Sequence, residues 1–175
     1  NVLLETDAFD ATQVAYTNEP TTYGNLVSQR RGSNNHWAYA DALGSIWNLC
    51  DNAETISDTY LYDAWGNLLT SSGSTVNPFR YIGSSGYYYD TELGSCYVRA
   101  RTYQPTIARW TSMDPLGFID GLNLYVYVLN GPVVAVDLSG KLRWVFLDAN
   151  PKINCGGIIF ARWQAFISRP PKRGF

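Results

Sequence analysis

The sequence is short of the residue types that metal sites and disulfide frameworks require. Histidine occurs once, at His36, and the three cysteines, Cys50, Cys96 and Cys155, are widely spaced. No Cys-x-x-Cys pair occurs, so neither zinc ligation nor a disulfide framework is supported. No apolar run approaches the ~18 residues of a membrane-spanning helix. We therefore predict no metal, no cofactor and no transmembrane segment.

The net charge of −2 conceals two oppositely charged regions. Residues 1–141 carry seven basic and fourteen acidic side chains, a net charge of −7, whereas residues 142–175 carry six basic and one acidic, a net charge of +5. This asymmetry favours attraction between body and tail, or binding of a released tail to anionic partners. The tail is short for a folded enzyme and contains no recognisable nuclease residue pattern, so we predict no nucleic-acid partner.

Aromatic residues and glycine, by contrast, are abundant, with thirteen Tyr, seven Phe, six Trp and fifteen Gly. A loose repeat centred on Asp-Ala-x-Gly aligns residues 39–46 with 61–68, and a weaker copy lies at 89–97. Each copy places an Asp-capped turn between two strands, as expected for stacked hairpins. The pattern predicts an all-β fold, with short strands also at 12–16 and 25–30. The repeat glycines are Gly24, Gly44, Gly66 and Gly94, and the capping aspartates are Asp41, Asp63 and Asp90.

Two Asp-x-x-Gly turns, which begin at Asp114 and Asp137, flank a short apolar stretch. Residues 122–128 alternate aliphatic side chains with Asn or Tyr, which predicts a strand. A strand between the turns could bring the two carboxylates together, and two close carboxylates that share one proton are the requirement for aspartyl-protease chemistry. The alternative is that both aspartates only cap their turns. The turns also contain Pro115, Gly117 and Gly140.

Five motifs follow one another in order between residues 99 and 132. They are Arg-Ala-Arg-Thr-Tyr-Gln-Pro at 99–105, Ile-Ala-Arg-Trp at 107–110, Asp-Pro-Leu-Gly at 114–117, Leu-Asn-Leu-Tyr at 122–125 and Asn-Gly-Pro at 130–132. Together they resemble the Rhs-repeat-associated core domain, the C-terminal signature of Rhs and YD-repeat proteins, including the C subunits of bacterial Tc toxins. The resemblance implies YD-repeat hairpins in a curved sheet or shell wall, closed by an Rhs core plug.

The resemblance also implies how the chain is divided. Residues 1–35 would be degenerate YD-repeat strands, residues 36–141 the core domain and residues 142–175 a variable basic tail. The partners would be the N-terminal YD-repeat shell of the parent chain and the tail itself, enclosed as cargo. The family implies a location outside the cell or at its surface. Within the tail, the sequence predicts a strand at 143–147 and an amphipathic helix at 158–167.

In many members of this family the core cuts its own chain just after the second Asp motif. The catalytic residues implied by the resemblance are Arg101, Asp114 and Asp137. The implied cut falls between Lys141 and Leu142. The alternative is a non-catalytic structural plug or a cell-surface repeat module, in which the aspartates are caps and Arg101 is a buried ion-pair partner.

Two residues beside the expected cut depart from the family pattern. Leu138 stands where the family usually has Pro, and Lys141 where it usually has Leu. Proline would fix φ near about −65° and stiffen the turn, whereas a lysine must be desolvated to enter an apolar pocket. We therefore predict slower cleavage here than in members that keep both residues.

Overall fold

The computed structural model describes residues 3–141 and 145–146, in which all regular structure is strand or short 3-10 helix. Every strand pairing is antiparallel, and the all-β prediction is confirmed. The strands are β1 (Leu4–Thr6), β2 (Thr12–Asn18), β3 (Leu26–Arg31), β4 (Asn34–Ala40), β5 (Ile46–Cys50), β6 (Ile56–Tyr62), β7 (Leu68–Ser72), β8 (Tyr88–Asp90), β9 (Ser95–Val98), β10 (Arg101–Gln104), β11 (Arg109–Trp110), β12 (Ala135–Val136) and β13 (Val145–Phe146). The 3-10 helices are Gly83–Ser85, Pro105–Ile107, Gly117–Asp120 and Val128–Asn130.

The first seven strands form one sheet, which we call the repeat sheet, in which neighbours in the sequence are also neighbours in space. In β2, Val14 and Tyr16 are buried and the intervening Ala15 is less so, because successive side chains point to opposite faces of a sheet. Strands β2 and β3 confirm those predicted at 12–16 and 25–30. Among the described residues, β1 and β7 are the open edges, so the sheet does not close on itself there.

Aspartates cap the turns of the repeat sheet in one recurring design. Between β4 and β5, Oδ1 of Asp41 accepts hydrogen bonds from two backbone N–H groups, both at 2.9 Å. Asp63 does the same between β6 and β7, at 2.8 and 2.9 Å. Gly44 and Gly66 each have a φ of 92° in these turns, a conformation that glycine adopts without steric cost. Both predicted turns are confirmed.

Two further turns of this design lack glycine, and the repeat pattern did not predict them. Asp7 caps the turn between β1 and β2, and Asp51 caps the turn between β5 and β6. Asp10 and Glu54 occupy the glycine position with φ values of 61° and 59°. A non-glycine residue there costs about 1–2 kcal/mol, so the capping bonds specify the turn even where the residue is unfavourable.

A second sheet contains β8 to β11 in the order β11-β10-β9-β8. The weakest copy of the sequence repeat lies here rather than in the repeat sheet. Asp90 caps its turn through Oδ1, which accepts the N–H groups of Glu92 (2.9 Å) and Leu93 (3.0 Å). Gly94 has a φ of 62°, which confirms the third predicted turn.

An aromatic cluster forms the main core and joins the two sheets. The rings of Tyr103 and Tyr127 have centroids 4.0 Å apart, and Trp110 packs edge-on against both, at 5.9 and 5.4 Å. Each such pair contributes about 0.5–1.5 kcal/mol beyond the burial of its area. Tyr62 and Trp65, from the β6–β7 hairpin, pack against this cluster, so the repeat sheet and the second sheet share one core.

The strand predicted at 122–128 is wrong. Val126 forms one isolated bridge with Arg109, and the segment otherwise lacks ladder pairing. The Leu124 carbonyl, for example, accepts the N–H of Asp114 (3.0 Å) outside any ladder. Tyr127 and Val128 are consecutive and both buried in the core, whereas successive residues of a strand point to opposite faces. Core packing therefore overrides the alternating pattern.

Two short strands flank the second Asp motif in the sequence: β12 ends just before Asp137, and β13 follows the motif. Strand β13 pairs with β12, with Val145 opposite Val136 and Phe146 opposite Ala135, and it falls within the strand predicted at 143–147. The helix predicted at 158–167 lies outside the described residues. None of the helices in the part of the chain that the structure describes is long and apolar enough to cross a membrane.

Candidate functional site

Arg101, the first residue of β10, is the centre of the candidate site. Its guanidinium is buried, with Nη1 2.9 Å from Oδ2 of Asp114 and Nη2 3.0 Å from Oδ2 of Asp137. Its Nε donates to the Gly140 carbonyl at 2.6 Å, and its Cζ lies 4.2 Å from the centre of the Trp110 ring. The structure therefore brings together the three residues predicted from the sequence.

The Asp114 turn presents one carboxylate oxygen to Arg101 and uses the other for itself. Oδ1 accepts the Leu116 N–H (2.8 Å), and the Asp114 carbonyl accepts the Gly117 N–H (3.0 Å). Gly117 has a φ of 66°, and Pro115 occupies the turn with the φ that its ring imposes. The capping bond fixes the carboxylate plane, and Oδ2 is thereby directed at the guanidinium.

The Asp137 turn is built in the same way but is more deeply buried. Oδ1 of Asp137, a residue that is 2% exposed, accepts the N–H groups of Ser139 (3.1 Å) and Gly140 (2.9 Å). Gly140 has a φ of 67°, and a Cβ there would lie 2.3 Å from the Val98 carbonyl oxygen. Only glycine satisfies both the backbone conformation and this close approach.

The charges at the site do not cancel when both carboxylates are ionised. One guanidinium then faces two carboxylates, which leaves a net charge of −1 in a buried place. A cavity of about 20 Å³ is lined by Arg101, Asp114 and Asp137, which is room for one water molecule. The arrangement can therefore support proton transfer to and from a single water.

The backbone from Asp137 to Gly140, which we call the clamped segment, has every carbonyl bound. The donors come from β10, from the turn before it and from one buried tyrosine. Sequence reasoning identified Arg101 and missed the other donors, because a partner for a backbone carbonyl leaves no pattern in the sequence. The carbonyls of Asp137, Leu138, Ser139 and Gly140 accept from the Tyr87 hydroxyl (2.7 Å), the Arg99 guanidinium, the Ala100 N–H (3.3 Å) and Arg101 Nε (2.6 Å), respectively.

Tyr87 is fully buried beside the clamped segment, and its hydroxyl also lies 3.2 Å from the Tyr127 hydroxyl. Burial raises the pKa of Tyr87 well above its usual value, and the charge of Asp137 raises it further. The hydroxyl therefore stays protonated at neutral pH and remains a donor to the Asp137 carbonyl.

The residues around the predicted cut differ in their exposure. Lys141 is exposed, and its N–H donates to the Ser139 hydroxyl (3.1 Å). Leu138 is partly buried and packs against the aromatic cluster. Leu142 lies outside the described residues. Over residues 3–141 and 145–146, no group of three or more His, Cys, Asp or Glu side chains is placed to hold a metal ion.

The repeat sheet consists of sequential antiparallel hairpins, several of them with Asp-capped turns, and it packs against a second sheet whose Arg101 binds Asp114 and Asp137. This arrangement is that of a YD-repeat shell module. The Teneurin YD-shell family model matches residues 16–132. The chain therefore belongs to that family, and the resemblance to YD-repeat proteins is confirmed.

Relatives of this chain include proteins named as toxins and nucleases. The tRNA3(Ser)-specific nuclease WapA of Bacillus spizizenii is 34% identical over 156 residues, 85% of this chain and 6% of that protein. Toxin subunit YenC2 of Yersinia entomophaga is 47% identical over 81 residues, 46% of this chain and 8% of that protein. The chain thus spans less than a tenth of the length of these curated relatives.

Solved structures of Tc toxins share the fold. A crystal structure of TcdB2-TccC3 matches 74% of this chain and 7% of its own, with a TM-score of 0.61 and 29% identity. The Photorhabdus luminescens Tc holotoxin pore matches 93% of this chain and 8% of its own, with a TM-score of 0.61 and 27% identity.

Proposed function

We propose that this domain closes a YD-repeat shell around residues 142–175 and frees that segment by cutting its own chain between Lys141 and Leu142. The proposal includes the division of the chain at residues 36 and 142, a shell in the parent chain as partner, and a location outside the cell or at its surface. The observation that carries it is the buried contact of Arg101 with both Asp114 and Asp137. The relatives named as toxins support a role in holding a C-terminal cargo.

The reaction would be a hydrolysis in which both carboxylates take part. One carboxylate removes a proton from a water whose oxygen attacks the Lys141 carbonyl carbon, while the other, protonated, donates to the carbonyl oxygen. As the C–N bond of the tetrahedral intermediate breaks, the Leu142 nitrogen takes up the proton that the first carboxylate removed from the water, and the second carboxylate recovers the proton that it gave to the carbonyl oxygen. The water is consumed, and the products are a new carboxyl group at Lys141 and a new amino group at Leu142.

The hydrogen bonds hold both aspartates in place for this reaction. Asp137 accepts two backbone N–H groups and the Arg101 guanidinium, and Asp114 accepts one backbone N–H and the guanidinium. Arg101 also holds the Gly140 carbonyl, which positions the chain one residue before Lys141, whose carbonyl would be attacked.

The test follows the intact mass of the purified chain over days at mildly acidic and neutral pH. We expect release of the 142–175 fragment, faster in a Leu138→Pro, Lys141→Leu double variant that restores the family residues. Asp114→Asn in that double variant should stop the release, because an amide retains the capping oxygen but cannot exchange the proton. A correctly folded double variant that stays intact would overturn the proposal.

A structural plug is the second candidate, and the exposed Lys141 favours it. A lysine that remains in solvent does not fill an apolar pocket beside the aspartates. In the plug, the Lys141–Leu142 bond would therefore lie away from a water held by the two carboxylates. In that case Arg101 and the clamped segment serve only to anchor the chain. Terminal sequencing of the parent protein separates the two candidates, since only the autoprotease yields a new amino terminus at Leu142.

A further inference from the structure

Arg99 links the clamped segment to two other parts of the protein. Its Nη1 donates to the Leu138 carbonyl, and its Nη2 donates to the Ser85 carbonyl at 2.8 Å. Its Cζ lies 4.7 Å from the centre of the Tyr23 ring. Ser85 belongs to the 3-10 helix before β8, and Tyr23 lies in the loop between β2 and β3 of the repeat sheet. One guanidinium thus contacts the β2–β3 loop of the repeat sheet, the 3-10 helix before β8 and the clamped segment.

The backbone of Arg99 is in an unfavourable conformation. Arg99 and Ala100 form the two-residue turn between β9 and β10, where Val98 pairs with Arg101, and Arg99 has a φ of 52°. The first position of such a turn strongly favours glycine. A side chain at a strained position that binds three partners points to a role for that side chain, because strain persists where the surroundings and the function require it.

Arg99 also supplies the rigidity that Leu138 lacks. A proline at position 138 would restrict the backbone through its ring. In this chain the Leu138 carbonyl is held instead by Arg99, whose fork-shaped guanidinium can bind two carbonyls at once in a fixed geometry. The ring of Tyr23 lies against the guanidinium, and stacking of this kind stabilises a partly desolvated cation. Tyr23 therefore helps to set where the Leu138 carbonyl is held.

We propose that Arg99 is a positioning residue for the self-cleavage, and that its contact with Tyr23 makes cleavage depend on packing of the repeat sheet against the second sheet. The inference rests on the proposed function. Cleavage would then occur after the β2–β3 hairpin has packed against Arg99, and a chain with a misplaced repeat sheet would keep its cargo attached. A displacement of about 1 Å at a reacting group costs on the order of a hundredfold in rate, so loss of the contact should be readily measured.

The experiment compares cleavage rates of variants made in the Leu138→Pro, Lys141→Leu double variant and in the unaltered chain. Arg99→Gly suits the turn but removes the guanidinium and its hydrogen bonds, so the variant should remain folded with a somewhat lower thermal midpoint, while cleavage slows on the order of a hundredfold in the unaltered chain. The decrease in cleavage rate should be smaller in the double variant, where the introduced proline restrains the segment.

The Tyr23 variants test the ring contact. Tyr23→Leu should slow cleavage about tenfold, whereas Tyr23→Phe should cleave at the original rate, because phenylalanine keeps the ring face. Tyr39→Leu, an exposed tyrosine elsewhere in the repeat sheet, is the matched control.

The outcomes separate this inference from the proposed function. Unchanged cleavage in Arg99→Gly and Tyr23→Leu, together with loss of cleavage in Asp114→Asn, would overturn the positioning role and leave the autoprotease standing. Equal losses in Tyr23→Leu and Tyr23→Phe would overturn the role of the ring. If neither the unaltered chain nor the Leu138→Pro, Lys141→Leu double variant is cleaved, the proposed function is overturned, and this inference with it.

Discussion

The aspartate turns of the repeat sheet and those of the candidate site use the same local chemistry for different ends. In both groups Oδ1 accepts backbone N–H groups and defines the turn. The difference lies at Oδ2. In three turns of the repeat sheet it meets neutral groups from the same turn or the strand after it: Gln13 Nε2 at Asp7 (2.9 Å), Thr55 Oγ1 at Asp51 (2.9 Å) and Asn67 Nδ2 at Asp63 (2.7 Å).

In the candidate site, Oδ2 of each aspartate meets a cation from a distant part of the chain. Arg101 lies on β10, and it binds Asp114 and Asp137 from inside the aromatic core. A capped turn therefore fixes the orientation of the carboxylate through one of its oxygens. Whether the other oxygen has a chemical role depends on which group the tertiary structure places next to it.

The largest effect is expected when the capping aspartates of the site and of the repeat sheet are replaced by asparagine. Asp137→Asn and Asp41→Asn both keep an oxygen that can cap the turn, and circular dichroism checks that each is folded, because the amide NH2 of Asn at position 137 would face the Arg101 guanidinium. We expect Asp137→Asn to abolish release of the 142–175 fragment, and Asp41→Asn to leave its rate unchanged, as followed by intact mass. Equal behaviour of the two variants would mean that the site turn is structural.

The second prediction compares the buried ion pairs of Arg101 with the part-exposed ion pair of Arg31. Arg101→Ala leaves two buried carboxylates without their cation and should lower the free energy of unfolding by about 3–5 kcal/mol. Arg31→Ala removes a part-exposed arginine whose Nη2 lies 3.7 Å from the Glu5 carboxylate, and should cost about 1 kcal/mol. Urea unfolding at neutral pH measures both. The Arg101→Ala deficit should shrink in acid, where carboxylates take up protons.

The third prediction concerns the glycines of the capped turns. At Gly66 an added Cβ would lie 2.4 Å from the Tyr81 ring, whereas at Gly94 nothing lies within 4 Å of it. Both have positive φ. Gly66→Ala should therefore lower the free energy of unfolding by about 2–4 kcal/mol, because backbone strain and overpacking add together. Gly94→Ala should lower it by about 1–2 kcal/mol, from backbone strain alone. Equal shifts in thermal unfolding would show that the contact with Tyr81 can relax.

The smallest effect is expected in the turn that lacks glycine. Glu54→Gly relieves the positive φ of Glu54, a gain of about 1–2 kcal/mol. It also increases the entropy of the unfolded chain, a loss of about 0.5–1 kcal/mol. The thermal midpoint should rise slightly or stay the same. A clear fall would show that the Glu54 side chain stabilises the turn through a contact of its own.

The sequence by itself determined the all-β architecture and most of the capped turns, because a turn depends on residues close to one another in the chain. The turns at Asp7 and Asp51 lack glycine and escaped the pattern. Asp41, Asp63, Asp90, Asp114 and Asp137 all cap turns as the pattern predicted. The family motifs also named the three site residues, although spacing alone left open whether Asp114 and Asp137 were only caps.

Only the tertiary structure decided what the second oxygen of each aspartate meets. Arg101 and Asp137 are 36 positions apart, and their contact requires the aromatic core that packs β10 beside the clamped segment. The same packing overrode the alternation at 122–128, where Tyr127 enters the core and the neighbouring backbone forms turns instead of a ladder. It also placed Arg99 between Tyr23 and Leu138. Such contacts depend on how whole sheets pack together, and no local pattern of residues encodes that arrangement.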